Sequence, residues 1–141
     1  YMSKFSYQDG KSMISSPIVC RWAEVILNRA EAYAHLGQDA KALEDVNVIR
    51  KRAGIPADGM FSAGAMHGYK SVLDVVLDER RLELAFEGFR THDLTRNKLD
   101  IDRRFPGAHP WQVVSYNHDH LIYPIPNNEW TVSGIQQNPG Y

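Results

Sequence analysis

The sequence has a single cysteine, no long apolar run and no surplus of either charge. Cys20 alone can form neither an internal disulfide nor a multi-cysteine metal site. No apolar stretch reaches the roughly 20 residues that span a bilayer. The 141 residues carry 16 basic and 17 acidic side chains, without the basic surplus of a nucleic-acid binder. What remains is 43% hydrophobic residues, enough for the core of one ordinary domain.

Helical periodicity begins at Trp22. The apolar positions of the first helix are Trp22, Ile26, Ala30 and Tyr33. Their spacing predicts an amphipathic helix whose buried face includes Trp22 and Tyr33, with Cys20 buried near its start. Gly37 ends this helix, and a second follows from about Asp39. Small residues where the two helices would touch predict a tetratricopeptide-like pair at residues 19–54, which needs further helices to cover both of its faces.

A third long helix is predicted to begin at Ser71, which has capping-box spacing to Asp74, and to run to about residue 87. Three glutamates fall on one edge of it: Glu79, Glu83 and Glu87. Like charges at this spacing repel, so arginines must approach them. We predict a structural ion network that uses Arg80, Arg90 and Arg96. Arg21 and Arg29 could also approach from the first helix.

The remaining segments predict irregular structure. Residues 55–70 are a glycine-rich connection, and the stretch beyond Pro106 has little strand character. The polar tail at residues 136–141 is expected to dock rather than to hang free. The predicted fold class is therefore mainly α: a helical hairpin and a third long helix, with long irregular loops.

Three separated segments resemble one family. The first comprises residues 21–27 (RWAEVIL), 30–33 (AEAY), 36–37 (LG) and 47–54 (NVIRKRAG). The second comprises residues 79–90 (ERRLELAFEGFR) and 93–96 (DLTR), and the third residues 123–126 (YPIP), Glu129 and residues 137–141 (QNPGY). Their order and spacing resemble the C-terminal region of the SusD/RagB family, the surface glycan-binding lipoproteins of Bacteroidetes nutrient-uptake systems.

This resemblance implies a SusD-like alpha–alpha superhelix in which residues 1–141 are the C-terminal region of a longer chain. The implied ligand is an oligosaccharide or, as in some members of the family, a peptide-derived nutrient. The implied partners are a SusC-like TonB-dependent transporter and the remaining N-terminal part of the same protein. The implied location is the outer surface of the outer membrane, with a lipid anchor on an N-terminal cysteine that is not present in this chain. The family implies neither catalysis nor a cofactor.

Loop aromatics are the candidate ligand-binding residues, because a ring face packs against the apolar face of a sugar. Trp111 and Tyr116 lie in an irregular segment among polar residues, although the main ligand site is expected outside this chain. His118, Asp119 and His120 could hold a metal ion, yet solvated loop histidines are the favoured interpretation, and no metal is predicted.

Two other functions compete with glycan binding. A tetratricopeptide-type scaffold would bind protein partners along the helix pair. A glycoside hydrolase would use the glutamates of the third helix as acid and base. The second alternative is the weaker, because neighbours on one helix edge do not face each other across a cleft.

Overall fold

Helices dominate the part of the chain that the computed structural model describes, which is residues 4, 9–11, 16, 19–104 and 112–141. This confirms the mainly α fold class. The chain divides into two units, residues 1–84 and residues 85–141. Within the described ranges, no helix combines the length and the hydrophobicity needed to cross a bilayer.

The first unit begins with a helical hairpin of α1 (Trp22–His35) and α2 (Asp39–Arg52), where the sequence predicted two helices. Gly37 has a φ of 69° in the connection. The amide of Gln38 donates to the carbonyl of Tyr33 at 2.9 Å, and the amide of Gly37 to that of Ala34 at 3.1 Å. These two bonds satisfy carbonyls that the end of α1 would otherwise leave unpaired. The chain therefore reverses within three residues.

Helix α3 (Val72–Glu83) contacts both helices of the hairpin. Ser71 caps it, because the amide of Asp74 donates to the Ser71 hydroxyl oxygen at 3.1 Å. The predicted end near residue 87 was wrong. Phe86 and Gly88 have φ values of 67° and 84°, in the left-handed region that a right-handed helix cannot include.

One apolar core holds the three helices together. Its buried members are Ala23, Ile26, Leu27, Ala30, Ala42, Leu43, Val46, Ile49, Phe61, Val72, Val75 and Val76. Tyr33 was predicted to be buried, and it is half-buried and packs against the edge of this core. Trp22 was predicted to be buried but is 74% exposed, and Cys20 is exposed as well. Trp22 is exposed because it lies about 100° around the helix axis from the buried Ala23, outside the face that contacts α2 and α3.

The connection from α2 to α3 is pinned by one side chain. The Asn47 amide group donates to the carbonyl of Phe61 and accepts from its N–H, each at 2.8 Å. The Phe61 ring then packs edge-on against the rings of His67 and Tyr69, with centroids 5.2 Å and 5.7 Å away. A segment that reads as a loose glycine-rich linker thus has a defined path.

The second unit is built from short elements. They are α4 (Phe89–Arg96), β1 (Ile101–Asp102), β2 (Val113–Val114), a 3-10 turn (Asp119–Leu121) and α5 (Asn127–Ser133). The strands pair antiparallel, with Ile101 opposite Val114. Among the described residues of this unit, Asp93 and Leu94 alone are buried. The described residues of this unit therefore form little apolar interior.

Candidate functional site

Glu79 is a buried carboxylate at the centre of the first unit. Its side chain is 8% exposed, and its Oε2 accepts a hydrogen bond from Nη1 of Arg50 at 2.9 Å. Arg50 also donates from Nε to the carbonyl of Gly59 at 3.1 Å and lies 4.6 Å from the ring centroid of Phe61. One guanidinium thus joins α2, α3 and the connection between them.

Glu83 gathers three basic side chains at the C-terminal end of α3. Its carboxylate accepts hydrogen bonds from Arg21 and, at 2.5 Å, from Nη2 of Arg52. Its backbone carbonyl accepts from Arg21 at 2.6 Å and from Lys4 at 2.7 Å. Carbonyls at a helix C-terminus lack internal partners and carry partial negative charge, so cations stabilise them. Glu83 therefore links the start of α1 and the end of α2 to the end of α3.

The arginines that reach these two carboxylates are not the predicted ones. The predicted set was Arg80, Arg90 and Arg96, and the observed set is Arg21, Arg50 and Arg52. Arg80 follows Glu79 by one position, so its side chain points in a direction rotated by about 100° around the axis of α3. It faces α1, where its Nε lies 3.6 Å from Oε2 of Glu31 and its Nη1 donates to Asn28 at 2.5 Å. For Glu79 and Glu83 the predicted partners were therefore wrong, although Arg21 had been named as an arginine that could approach in space.

Glu87, Arg90 and Arg96 lie in the second unit. Because α3 ends at Glu83, Glu87 does not continue the helix edge on which it was predicted. Arg96 donates to Oδ1 of the buried Asp93 at 2.8 Å. Arg90 lies exposed on α4. The edge of α3 therefore carries two of the three glutamates, and contact of Glu87 with an arginine stays a prediction.

Burial raises the pKa of Glu79 above its ordinary value of 4.5, and the hydrogen bond from Arg50 offsets part of that rise. A raised carboxyl pKa in a buried place is also a property of acid catalysts. Glu79 and Glu83, however, occupy successive turns of one helix, and guanidinium groups bind both carboxylates. A glycosidase needs two carboxyl groups that face each other across the substrate. This geometry favours a scaffold role over an acid–base pair.

Tyr116, the ligand candidate within the described residues, follows β2 in a turn. Its amide donates to Oδ1 of Asp100 at 3.0 Å, and the residue is 40% exposed. Beside it, the Ser115 hydroxyl donates to Oδ1 of Asn117 at 2.7 Å. Trp111 lies outside the described residues. Ligand contact by either aromatic stays a prediction.

His118 and His120 bind other parts of the second unit. Nδ1 of His118 accepts the amide of His120 at 3.2 Å. Nε2 of His120 donates to the carbonyl of Gly140 at 2.9 Å, and its ring stacks on Tyr141 with centroids 4.7 Å apart. Both rings therefore have structural contacts that the solvated-loop interpretation did not include. In the portion of the chain that is described, no group of three or more His, Cys, Asp or Glu side chains could hold a metal ion.

The terminal tail is docked, as predicted, because two of its side chains bind the backbone of the segment at residues 123–125. Oε1 of Gln137 accepts the amide of Ile125, and Nε2 of Gln137 donates to the carbonyl of Ile125, each at 2.8 Å. Nδ2 of Asn138 donates to the carbonyl of Tyr123 at 2.8 Å. The side-chain amide of Gln137 thus makes the two backbone hydrogen bonds that a neighbouring strand would make with Ile125. Proline stands on both sides of Ile125 and has no N–H to donate.

Two clefts border α2, and sequence reasoning missed both. One, of about 450 Å³, opens between α2, the segment after Phe61 and the start of α3. The other, of about 490 Å³, opens between α2 and residues 55–60. Glu44 and Asn47 line both clefts. The sequence signal that could have indicated these clefts is Asn47. This polar residue lies beside the apolar positions of α2, and its side chain binds the segment between α2 and α3.

The whole chain, residues 1–141, matches the model of the SusD family. The chain belongs to the SusD family. It is 31% identical over 139 residues to SusD-like protein P2 of Formosa agariphila. The match covers 94% of this chain and 27% of that relative.

Solved structures give the same family. A protein from Bacteroides vulgatus ATCC 8482 whose description proposes sugar binding has a TM-score of 0.73 at 32% identity, over 87% of this chain and 28% of its own. A SusD superfamily protein from the same strain has a TM-score of 0.72 at 32% identity, over 90% and 28%. This SusD-family chain therefore spans just over a quarter of the length of these relatives.

Membership of the SusD family gives the arginine–glutamate contacts a context. All five side chains of the observed network lie in the segments that carried the resemblance: Arg21, Arg50, Arg52, Glu79 and Glu83. In this SusD-family chain, those motifs contain charges that link α1, α2 and α3 to one another.

Proposed function

We propose that this chain is the C-terminal region of a SusD-type protein that binds an oligosaccharide at the outer surface of a bacterial outer membrane. The bound sugar would pass to a SusC-like TonB-dependent transporter. A lipidated cysteine outside residues 1–141 would anchor the protein. The observation that carries this proposal is the family match along the entire chain. The related structure whose description proposes sugar binding supports the choice of ligand.

Binding without catalysis is the function that the carboxylates favour. Glu79 and Glu83 are bound by Arg50, Arg21 and Arg52, so neither offers a free acid or base to a substrate. We infer that these five side chains are a structural network, and that the protein binds its sugar unchanged.

Within this chain, Tyr116 is the residue that we propose to contact the sugar, together with Trp111. The turn that follows β2 holds the Tyr116 backbone to Asp100, which leaves the ring partly exposed. An anchored aromatic ring can cover the apolar face of a pyranose, while polar neighbours such as Asn117 bind its hydroxyl groups. The main site would lie in the part of the protein outside these residues.

Calorimetric titration of the intact protein with a panel of oligosaccharides tests the ligand class. We expect saturable binding of one glycan type and no release of new reducing ends on incubation. Tyr116→Ala should weaken that binding, whereas Tyr123→Ala, which removes a 91% exposed tyrosine of the same unit, should not. Absence of binding across the panel would remove the proposal, and binding of extended peptides in its place would support the scaffold alternative.

The transporter is tested separately. In the source bacterium, deletion of the SusC-like transporter gene should abolish growth on the glycan that the protein binds, and the two proteins should co-purify from detergent-solubilised outer membranes. Normal growth of the deletion strain on that glycan would contradict the proposed uptake route while leaving the binding result intact.

A further inference from the structure

Three side-chain rings form a row in the second unit. The rings of His118 and His120 meet edge to face, with centroids 5.2 Å apart. The His120 ring stacks on Tyr141 at 4.7 Å, with 28° between the two planes. Gly140 comes so close to this turn of the chain that a Cβ added to it would lie 2.9 Å from the Cβ of Asp119. Residues 140–141 therefore pack against the 3-10 turn that follows His118.

The two histidines of this row differ in the protonation state that their contacts require. Nδ1 of His118 accepts the amide of His120 at 3.2 Å and so caps the 3-10 turn. An imidazole nitrogen accepts a hydrogen bond only while it carries no proton, so this cap needs the neutral ring. Nε2 of His120 donates to the carbonyl of Gly140, and both the neutral and the charged ring can make that bond. Protonation therefore removes the contact of His118 and not that of His120.

Tyr141 depends on the capped turn at two points. Its ring packs on His120 within the turn, and its hydroxyl donates at 3.0 Å to the carbonyl of Ile122, the residue that follows the turn. The titratable neighbours of the His118 ring are Asp119, the next residue in the chain, and His120. A proton on His118 would remove the cap and also place a positive charge at the edge of the His120 ring. Both changes act on the surface that holds Tyr141.

We propose that His118 is a pH-sensitive latch, which docks residues 140–141 on the 3-10 turn while its ring is neutral and releases them in mild acid. Because docking requires the neutral ring, a fall in pH shifts the equilibrium toward the released state. Histidine is the side chain that ordinarily changes its charge between about pH 8 and pH 5. The bonds from Gln137 and Asn138 to residues 123–125 involve no titratable side chain and persist. The release is therefore confined to the last two residues described.

Nuclear magnetic resonance of the intact protein, with histidine and tyrosine selectively labelled, tests the latch. At pH 8 we expect a nuclear Overhauser effect between the rings of His120 and Tyr141, and at pH 5.5 a much weaker one. The hydrogen-exchange protection factor of the His120 amide, which corrects for the intrinsic effect of pH on exchange, should fall at least about threefold over the same range. No contact between the two rings at pH 8 would overturn the proposal, as would an equally strong contact at both pH values.

Two variants assign the effect to His118. Asparagine is an ordinary cap residue that does not titrate, so His118→Asn should keep the contact between His120 and Tyr141 at both pH values. The matched control is His92→Asn, which changes an exposed histidine of α4 and should keep the pH dependence of the unmodified protein. If His118→Asn loses the ring contact in acid as the unmodified protein does, another group controls the release and the proposal fails.

Discussion

The described residues of the two units differ in the contacts that they make. In the first, three helices enclose a continuous apolar core, with Leu27, Val46 and Val76 fully buried. In the second, the described residues include one buried hydrophobic side chain, Leu94, and several large apolar residues are exposed. The exposed ones include Ile122, Tyr123, Val132 and Ile135.

Among the described residues of the second unit, side chains that bind the backbone are the main contacts between distant segments. Gln137 and Asn138 hold the segment at 123–125, and His120 holds the carbonyl of Gly140. Burial is non-directional and adds over many atoms, so a core tolerates changes that keep its volume. A hydrogen bond contributes about 1 kcal/mol and depends on one geometry. The comparison therefore predicts large, cooperative losses in the first unit and small, local ones in the second.

The largest effect is expected from Leu27→Ala. This side chain is 0% exposed, and its truncation should lower the free energy of unfolding by about 2–5 kcal/mol because it leaves a cavity. Urea unfolding followed by circular dichroism measures the loss. Leu82→Ala on α3, where the side chain is 54% exposed, is the matched control and should cost less than about 0.5 kcal/mol. A large loss from Ile122→Ala would show that the second unit has a core of its own and would break the comparison.

Glu83→Ala should come next. The variant loses the bonds to Arg21 and Arg52 at a side chain that is 10% exposed, which should cost about 2–3 kcal/mol and lower the melting temperature. Glycan affinity of the folded intact protein should not change. Asp102→Ala breaks the solvent-exposed pair with Arg104 and should leave the melting temperature unchanged. A stable Glu83→Ala protein without glycan binding would instead place Glu83 in a ligand site.

Gln137→Ala probes the polar docking of the second unit. It removes two bonds to the backbone of Ile125, worth about 1–2 kcal/mol together. We expect this loss as faster hydrogen exchange of the Ile125 amide, with no change for amides of α1. Gln136→Ala, one position earlier and exposed, is the control. Faster exchange throughout the chain would mean that the two units unfold together.

The smallest effect is the pH dependence contributed by Glu79. Its pKa in the folded protein is raised above 4.5, mainly by burial, so the folded state holds the proton more tightly than the unfolded state. The stability that Glu79 contributes is therefore fully present below pH 4.5 and decreases as the pH rises through the raised pKa. In urea unfolding from pH 4 to 8, the advantage of the unmodified protein over Glu79→Gln should fall with pH. An advantage that grows with pH would contradict the raised pKa.

Local signals predicted much of the first unit. Gly37 ends α1 and Ser71 caps α3 because each acts on backbone groups within one turn. The end of α3 was missed, since the break comes at Phe86, a residue type that seldom adopts positive φ. The exposure of Trp22 was also missed: a periodic pattern marks a face, while the neighbouring helices decide how much of that face is covered.

The sequence by itself determined the helical hairpin, the start of α3 and the family to which the chain belongs, whereas α4 and α5 were not predicted. Only the tertiary structure decided the partners of the charges. Arg50 lies 29 positions from Glu79, and Arg21 lies 62 positions from Glu83. The nearer Arg80 points elsewhere because one residue turns a helix by about 100°. Helix formation depends on neighbours a turn away, whereas a buried carboxylate pairs with whichever guanidinium the packed core brings to it.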